Sequence, residues 1–223
     1  MTEPAHQTGP PAAWTGATGT PTRLLLVRHG QTPLSVARRY SGRGNPSLTE
    51  IGLTQAAAIA NRLTATTGIT AVVTSPLHRA RQTADKISAA TGAPVAELAD
   101  LTETDFGEWE GLTFAEAAER DPDRHRAWLA DPSVPSPGGE SFDDVHDRVT
   151  RAAQRITAEY GGSTVVVVSH VTPIKTLLRI GLAAGPSVLF RLHLDLASLS
   201  VVEFYPDGNT SVRLVNDTTH LTP

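Results

Sequence analysis

The sequence contains no cysteine, and of its 19 basic residues only Lys86 and Lys175 are lysines. The first absence removes disulfide frameworks, thiolate zinc sites, iron–sulfur clusters and every cysteine nucleophile. Aromatic residues make up 5% of the chain and charged residues 19%, too few charges for a charge-solvated disordered protein. With 23 acidic residues against 19 basic ones the formal charge is −4, which argues against a generally basic surface for nucleic acid or anionic lipid. No run approaches about 18 consecutive apolar residues, and no basic cap precedes an apolar stretch at the N-terminus, so neither a membrane span nor a signal peptide is expected. A cytoplasmic location is the default expectation. The apolar share of 39% and the length of 223 residues suit one well-cored domain.

Residues 1–22 are rich in Pro, Gly, Thr and Ala and lack periodicity; they are expected to form a disordered linker or tail, with the folded domain spanning 23–223. Leu24 to Val27 is a short continuous apolar run, as in a strand buried on both faces, and it ends in Arg28-His29-Gly30. Thr49 and Glu50 open a helix carrying Ala56, Ile59, Ala60 and Leu63 at helical spacing. A strand over Thr70 to Ser75 follows, then a helix with Pro76 in its first turn and Gly92 at its end. Further expectations are a strand near Val95 to Leu98, an acidic and aromatic segment from Leu101 to Gly111, and two short helical pieces between Thr113 and Ala130. Beyond the Pro-rich loop 132–139, Ser141 to Tyr160 reads as a long helix and Thr164 to Val168 as a strand closed by Ser169-His170. A helix from Pro173 to about Leu182 and two closing strands, Leu199 to Phe204 and Ser211 to Val215, complete the chain. Alternating strands and helices predict an α/β three-layer α/β/α sandwich with a mainly parallel sheet and an antiparallel edge strand. Ligands in such sheets bind beyond the carboxyl ends of the strands.

Several phosphate and hydrolase chemistries are excluded by missing residues. Neither lysine lies in a Gly-Lys-Ser/Thr loop, and no Gly-x-Ser-x-Gly or His-Glu-x-x-His occurs. Asp121 and Asp123 follow a helical segment, a poor setting for an aspartate nucleophile. What remains is a histidine beside an arginine at the tip of the first buried strand. A neutral imidazole can attack phosphorus, arginine forks suit the equatorial oxygens, and an acid can protonate a departing alkoxide.

Leu25-Leu26-Val27-Arg28-His29-Gly30-Gln31-Thr32 resembles the signature of the histidine phosphatase superfamily, phosphoglycerate-mutase-like branch. The resemblance continues through Ser41-Gly42, Leu48-Thr49 with Gly52 and Gln55, and Ser75-Pro76-Leu77 with Arg79-Ala80 and Gln82-Thr83-Ala84. It resumes at Leu101 with Glu103, Phe106-Gly107, Trp109-Glu110-Gly111, Pro137 to Ser141, and Val168-Ser169-His170. It implies that His29 is the phosphorylated nucleophile, that Arg28, Arg79 and His170 bind the phosphoryl group, and that Glu103 is the proton donor. Helical spacing does not choose Arg79 over Arg81, since both lie off the apolar stripe; the motif makes that choice. His170 is counted as a protonated contributor to a basic pocket. Glu103 also admits a blander reading as one member of a solvated acidic loop with Asp100, Asp105, Glu108 and Glu110; a metal site there is not expected. No cofactor is implied.

Mutases of this family carry a Trp-Asn pair after the Arg-His-Gly triplet and a long insertion before Gly-Gly-Glu-Ser. This chain has Pro33-Leu34-Ser35 and a short segment from Leu112 to Pro137. Hydrolysis of a small phosphorylated metabolite is therefore expected, with a phosphoglycerate mutase as the alternative and an inactive phospho-ligand-binding module as the alternative of another class. Gln31, Ser41, Gly42, Arg43 and Val171 are the candidate substrate-binding residues. Selectivity is expected from Arg39, Tyr40 and Arg43 in the loop Gln31 to Pro46, and from the helical lid between Leu112 and Ala130. Trp14 to Pro21, Tyr40 to Pro46, Ser169 to Leu178 and Arg191 to Leu196 are similar to the C-terminal acid phosphatase domain of bacterial bifunctional ribonuclease H proteins, near the α-ribazole phosphatases. That likeness implies a possible tether to a ribonuclease H domain in a longer protein; a monomer or homodimer is expected, without nucleic-acid or membrane partners for this domain.

Overall fold

The computed structural model describes residues 16–221. The first strand, β1 (Thr22–Arg28), leads through a one-turn helix, α1 (Pro33–Val36), to α2 (Glu50–Leu63), whose N-cap Thr49 accepts from the Gly52 amide. Next come β2 (Ile69–Thr74), α3 (His78–Thr91) and the short β3 (Val95–Glu97). Two lid helices, α4 (Phe114–Arg120) and α5 (Pro122–Ala130), precede the long α6 (Phe142–Glu159), β4 (Thr164–Ser169) and α7 (Val171–Gly181). The chain closes with β5 (Leu199–Phe204) and β6 (Thr210–Asp217).

The six strands form one sheet in the order β3-β2-β4-β1-β5-β6. The pairings β1–β4, β2–β4 and β2–β3 are parallel, and β1–β5 and β5–β6 antiparallel. The antiparallel pairings fall at one edge, as expected, but the strand running against the others is β5, one place in from that edge. Successive β1 side chains point to opposite faces. Leu24 and Leu26 pack with Val145, Val149 and Ile156 of α6 and Ile174, Leu177 and Leu178 of α7. Leu25 and Val27 pack with Ile59 and Leu63 of α2 and Ala80, Ala84 and Ile87 of α3. This explains why the central strands are apolar without alternation: both faces are covered, and each buried Leu or Val contributes roughly 1.5–3 kcal/mol of transfer free energy.

The structure corrects several local expectations. Most of the expected tail, residues 1–15, lies outside the described residues, but its end belongs to the fold. Ala17 is buried, the Thr18 amide donates to Asp207 at 2.7 Å, and Thr22 is already in β1. Pro76 precedes α3 instead of entering its first turn, because Leu77 is the N-cap. The final helix begins at Val171, two residues before Pro173, with His170 as its N-cap. Proline is tolerated there because it falls within the first turn, where its missing N–H has no intrahelical acceptor.

Candidate active site

Three neighbouring parallel strands end at the same level and deliver the central side chains. Arg28 pairs with Ser169 across β1 and β4, so the next residues, His29 and His170, emerge side by side with ring centroids 5.1 Å apart. That separation is close to the spacing of adjacent strands. On the other flank of β4, Ser75 follows β2, and its hydroxyl lies 2.8 Å from His170 Nε2. The connection after β1 packs α2 on one face of the sheet while α7, after β4, packs on the other. The crevice therefore opens where adjacent strands send their connections to opposite faces.

His29 is buried, and its Nδ1–H donates to the Gly30 carbonyl at 2.7 Å, which leaves the Nε2 lone pair free. Burial, reinforced by Arg79 and then Arg28, pushes its pKa well below the ordinary 6.5. His170 has no exposed surface, and burial, again with Arg79, lowers it in the same direction. The expectation of a protonated His170 is thus corrected: in a desolvated pocket that already holds two guanidinium groups the imidazole is neutral.

Arg79, not Arg81, enters the pocket. Arg79 is fully buried, and its terminal nitrogens donate to the carbonyls of Gly44 at 2.8 Å, Ser41 at 2.9 Å and Gly42 at 3.0 Å. Arg81 lies outside, paired with Asp85 and Glu97. The loop whose carbonyls hold Arg79 is itself held by Glu110, which accepts the Gly42 and Gly44 amides. Arg28 donates to the Leu194 carbonyl at 2.6 Å, and burial lowers its pKa to about 10, so it keeps its charge at neutral pH. Four of the shielded side-chain atoms without a protein partner gather in this region: Arg28 Nε, Arg79 Nε, His170 Nδ1 and Ser41 Oγ. Unpaired buried donors are costly, and their accumulation beside an unprotonated imidazole marks a place for an anion.

Glu103 is buried, not part of a solvated acidic face. It accepts the amides of Val171 at 3.0 Å and Thr172 at 3.2 Å from the start of α7, and that of Thr104 at 2.9 Å. Its backbone is clamped by Arg148, which the sequence reading missed. Arg148 donates to the carbonyls of Asp100, Thr102 and Glu103 and forms a two-pronged pair with Glu140. Its spacing, three residues after Val145 and four before Ala152, puts it on the buried stripe of α6 and was the signal that could have found it. The other acidic residues have local tasks: Asp105 accepts the Gly107 amide, and Glu108 pairs with Arg120.

The remaining expected substrate residues are positioned unequally. Gln31 bonds through its side chain to Thr49, Ser41 presents an unpartnered hydroxyl, and the Val171 amide is spent on Glu103. Gly42 must lack a side chain, since a Cβ would stand 2.3 Å from the Thr104 carbonyl. Arg43 is paired with Asp105 and Glu140. Arg39 bonds to Gly111 and Glu116. Tyr40 is corrected from a selectivity residue to a core one: it is buried against Phe106, Trp109 and Trp128, with its hydroxyl 2.9 Å from His125. Gln55, Gln82 and Thr83 prove to be pins, accepting the amides of Gln31, Leu48 and Gly30 respectively.

The family model described as histidine phosphatase superfamily (branch 1) matches residues 24–218. "Bifunctional protein Rv2228c" of Mycobacterium tuberculosis is 64% identical over 208 residues, 93% of this chain, which spans 57% of that relative's length. A metal-independent phosphoserine phosphatase of Arabidopsis thaliana is 37% identical over 183 residues, 80% of this chain and 76% of the relative. Among solved structures, Bacillus stearothermophilus YhfR superposes with a TM-score of 0.83 at 31% identity, covering 90% of this chain and all of the other. The mycobacterial glucosyl-3-phosphoglycerate phosphatase Rv2419c, solved with VO3, gives 0.80 at 30%, covering 88% of this chain and 100% of that one. The matched span runs from the strand before His29 to the last strand of the sheet, and on that extent the chain belongs to the histidine phosphatase superfamily, branch 1.

Proposed function

We propose that this domain hydrolyses phosphomonoesters through a phosphohistidine formed at Nε2 of His29. The observation that carries the reading is the neutral, inward imidazole surrounded by buried donors that lack partners. The Nε2 lone pair attacks phosphorus as the ester P–O bond breaks. Arg28 and Arg79 offer their Nε–H groups to the equatorial oxygens, where fixed charge stabilises the transferring group. His170 joins them if its Nδ1 carries the proton, which the Ser75 hydroxyl permits by donating to Nε2. Glu103 gives its proton to the departing alkoxide; water then attacks the phosphohistidine, returns a proton to Glu103 and releases inorganic phosphate.

Hydrolysis is favoured over mutation of phosphate position by the small cover above the pocket. Only α4, α5 and the loop to Gly139 separate the acidic segment from α6. A mutase must shut water away from its phosphoenzyme. The substrate class is a small phosphorylated metabolite, with acid phosphatase or α-ribazole-phosphatase-like selectivity as the finer form of the proposal. The share of the Mycobacterium relative left unmatched supports a longer, two-part protein, and a ribonuclease H domain is the proposed second part.

The test is turnover of para-nitrophenyl phosphate, with rapid denaturation at alkaline pH to preserve the acid-labile P–N bond. Wild type is expected to yield a phosphoenzyme, and His29→Ala neither phosphoenzyme nor turnover. Equal turnover by the two would end the proposal.

A further inference from the structure

The peptide that joins Gly30 to Gln31 is hydrogen-bonded on both sides. Its carbonyl accepts the Nδ1–H of His29 at 2.7 Å, and its N–H, carried by Gln31, donates to Oε1 of Gln55 at 2.9 Å. The peptide unit is planar, so anchoring the N–H also fixes the direction of the carbonyl. The same delocalisation couples the two bonds, because an acceptor at the N–H increases the negative charge on the carbonyl oxygen and strengthens it as an acceptor. Gln55 is thereby linked to the imidazole through one amide.

The surroundings hold that amide in place. Thr49, Gly52 and Gln55 recur every three residues at the start of α2 and meet this loop together. The Thr49 amide donates to the Gln31 carbonyl at 2.9 Å, and a Cβ on Gly52 would lie 2.2 Å from the same oxygen. On the other side of Gly30, its N–H donates to Thr83 Oγ at 3.2 Å, and that hydroxyl donates to the Arg79 carbonyl at 2.9 Å. Gln82 offers a contrast: it accepts the Leu48 amide at 2.8 Å, a pin of the same kind on a peptide whose carbonyl takes no bond from His29.

We propose that Gln55 is a positioning residue for His29: through the Gly30–Gln31 peptide it keeps the imidazole proton on Nδ1 and the lone pair on Nε2. The inference rests on the phosphatase reading for what the lone pair does, and on the hydrogen bonds alone for where the proton sits. A neutral imidazole can carry its proton on either nitrogen, and the form protonated on Nε2 has no lone pair there to offer phosphorus. The carbonyl acceptor selects the reactive form. Burial and the two arginines make the ring less basic while the Gly30 bond acts in the opposite direction, so a well-aimed carbonyl also preserves nucleophilicity.

Proton–nitrogen correlation spectra of the imidazole rings, recorded on the full chain at mildly alkaline pH, read the tautomer directly; the His29 signals are those missing from His29→Gln. Wild type is expected to show a protonated Nδ1 and an unprotonated Nε2. Gln55→Leu removes the acceptor and should move both nitrogens toward the opposite type. Its kcat for para-nitrophenyl phosphate should fall roughly tenfold, the rate equivalent of one neutral hydrogen bond, with KM changed by less than about threefold. Gln55→Glu keeps an acceptor oxygen at the same reach and should retain the wild-type tautomer and most of the turnover. Gln82→Leu removes the comparable pin from Leu48 and should leave the His29 tautomer unchanged, which separates the effect from general loosening of the loops. A His29 ring protonated on Nε2 in wild type, an unchanged tautomer in Gln55→Leu, or an equal change in Gln55→Glu or Gln82→Leu would overturn the proposal. The spectra require no turnover, so the phosphatase reading stands or falls separately, on His29→Ala.

Discussion

His29 and His170 face each other at 5.1 Å because Arg28 and Ser169 are register partners on adjacent parallel strands. Some 140 residues of chain separate them, yet backbone hydrogen bonding fixes their spacing more firmly than a loop could. The third member of the row, Ser75, comes from the next strand over and holds the outer imidazole nitrogen of His170. All three side chains therefore sit on strand ends fixed by sheet hydrogen bonding.

Both histidines are depressed by burial, which gives a pH dependence of defined sign. Below 6.5 the unfolded chain protonates these imidazoles while the folded chain resists. Stability is expected to fall with decreasing pH from about 6.5 down to the folded values, each histidine adding a limiting slope of about 1.4 kcal/mol per pH unit. Denaturant melts of wild type and His29→Gln across this range measure it, and an unchanged slope in the variant would remove His29 from the effect. The kcat/KM of the free enzyme for para-nitrophenyl phosphate should show no loss from histidine protonation at pH 6.5 itself.

Arg79 and Arg81, two residues apart, should respond in opposite ways to truncation. Arg79→Met removes an anion donor and leaves three loop carbonyls unpaired. The expected loss in kcat/KM is on the order of 100-fold or more. Arg81→Ala breaks exposed pairs and should change stability by no more than about 1 kcal/mol and turnover by less than about twofold. Steady-state kinetics on both variants provide the check.

Arg148 holds the backbone of Glu103 and, on the proposed mechanism, should show the signature of a positioning residue. Arg148→Met is expected to impair an alkyl phosphate about tenfold more than para-nitrophenyl phosphate, whose leaving group needs no proton. In a Glu103→Gln background that extra loss should vanish, since the group being positioned is gone. A selective loss that persists in the double variant would refute the link.

Gly30 and Gly52 let α2 touch the loop that follows His29. A Cβ on Gly52 would lie 2.2 Å from the Gln31 carbonyl, and one on Gly30 would lie 2.4 Å from the Gly52 carbonyl. Gly52→Ala is expected to cost about 2 kcal/mol, a fall in Tm of roughly 4–8 °C, and to lower activity by displacing His29. Calorimetry and turnover on one preparation test both parts.

The sequence alone was sufficient for the central strands, because a sheet covered on both faces writes itself as unbroken Leu and Val, and for the ends of α2, α3 and α6, where Thr49, Gly92 and Ser141 carry capping chemistry. It also determined which phosphoryl chemistries lack their residues, and the order of the motifs singled out His29, Arg79 and Glu103. The tertiary structure decided what depends on neighbours distant in sequence. Burial made His170 neutral, turned Arg79 inward and Arg81 outward, sent Tyr40 into an aromatic core and drew Glu103 onto the start of α7. Arg148 acquired its carbonyl and carboxylate partners only there. The scarcity of lysine and the absence of cysteine narrow the chemistry by composition; the charge and reach of each remaining group are set by desolvation and partners, which a linear sequence does not encode locally.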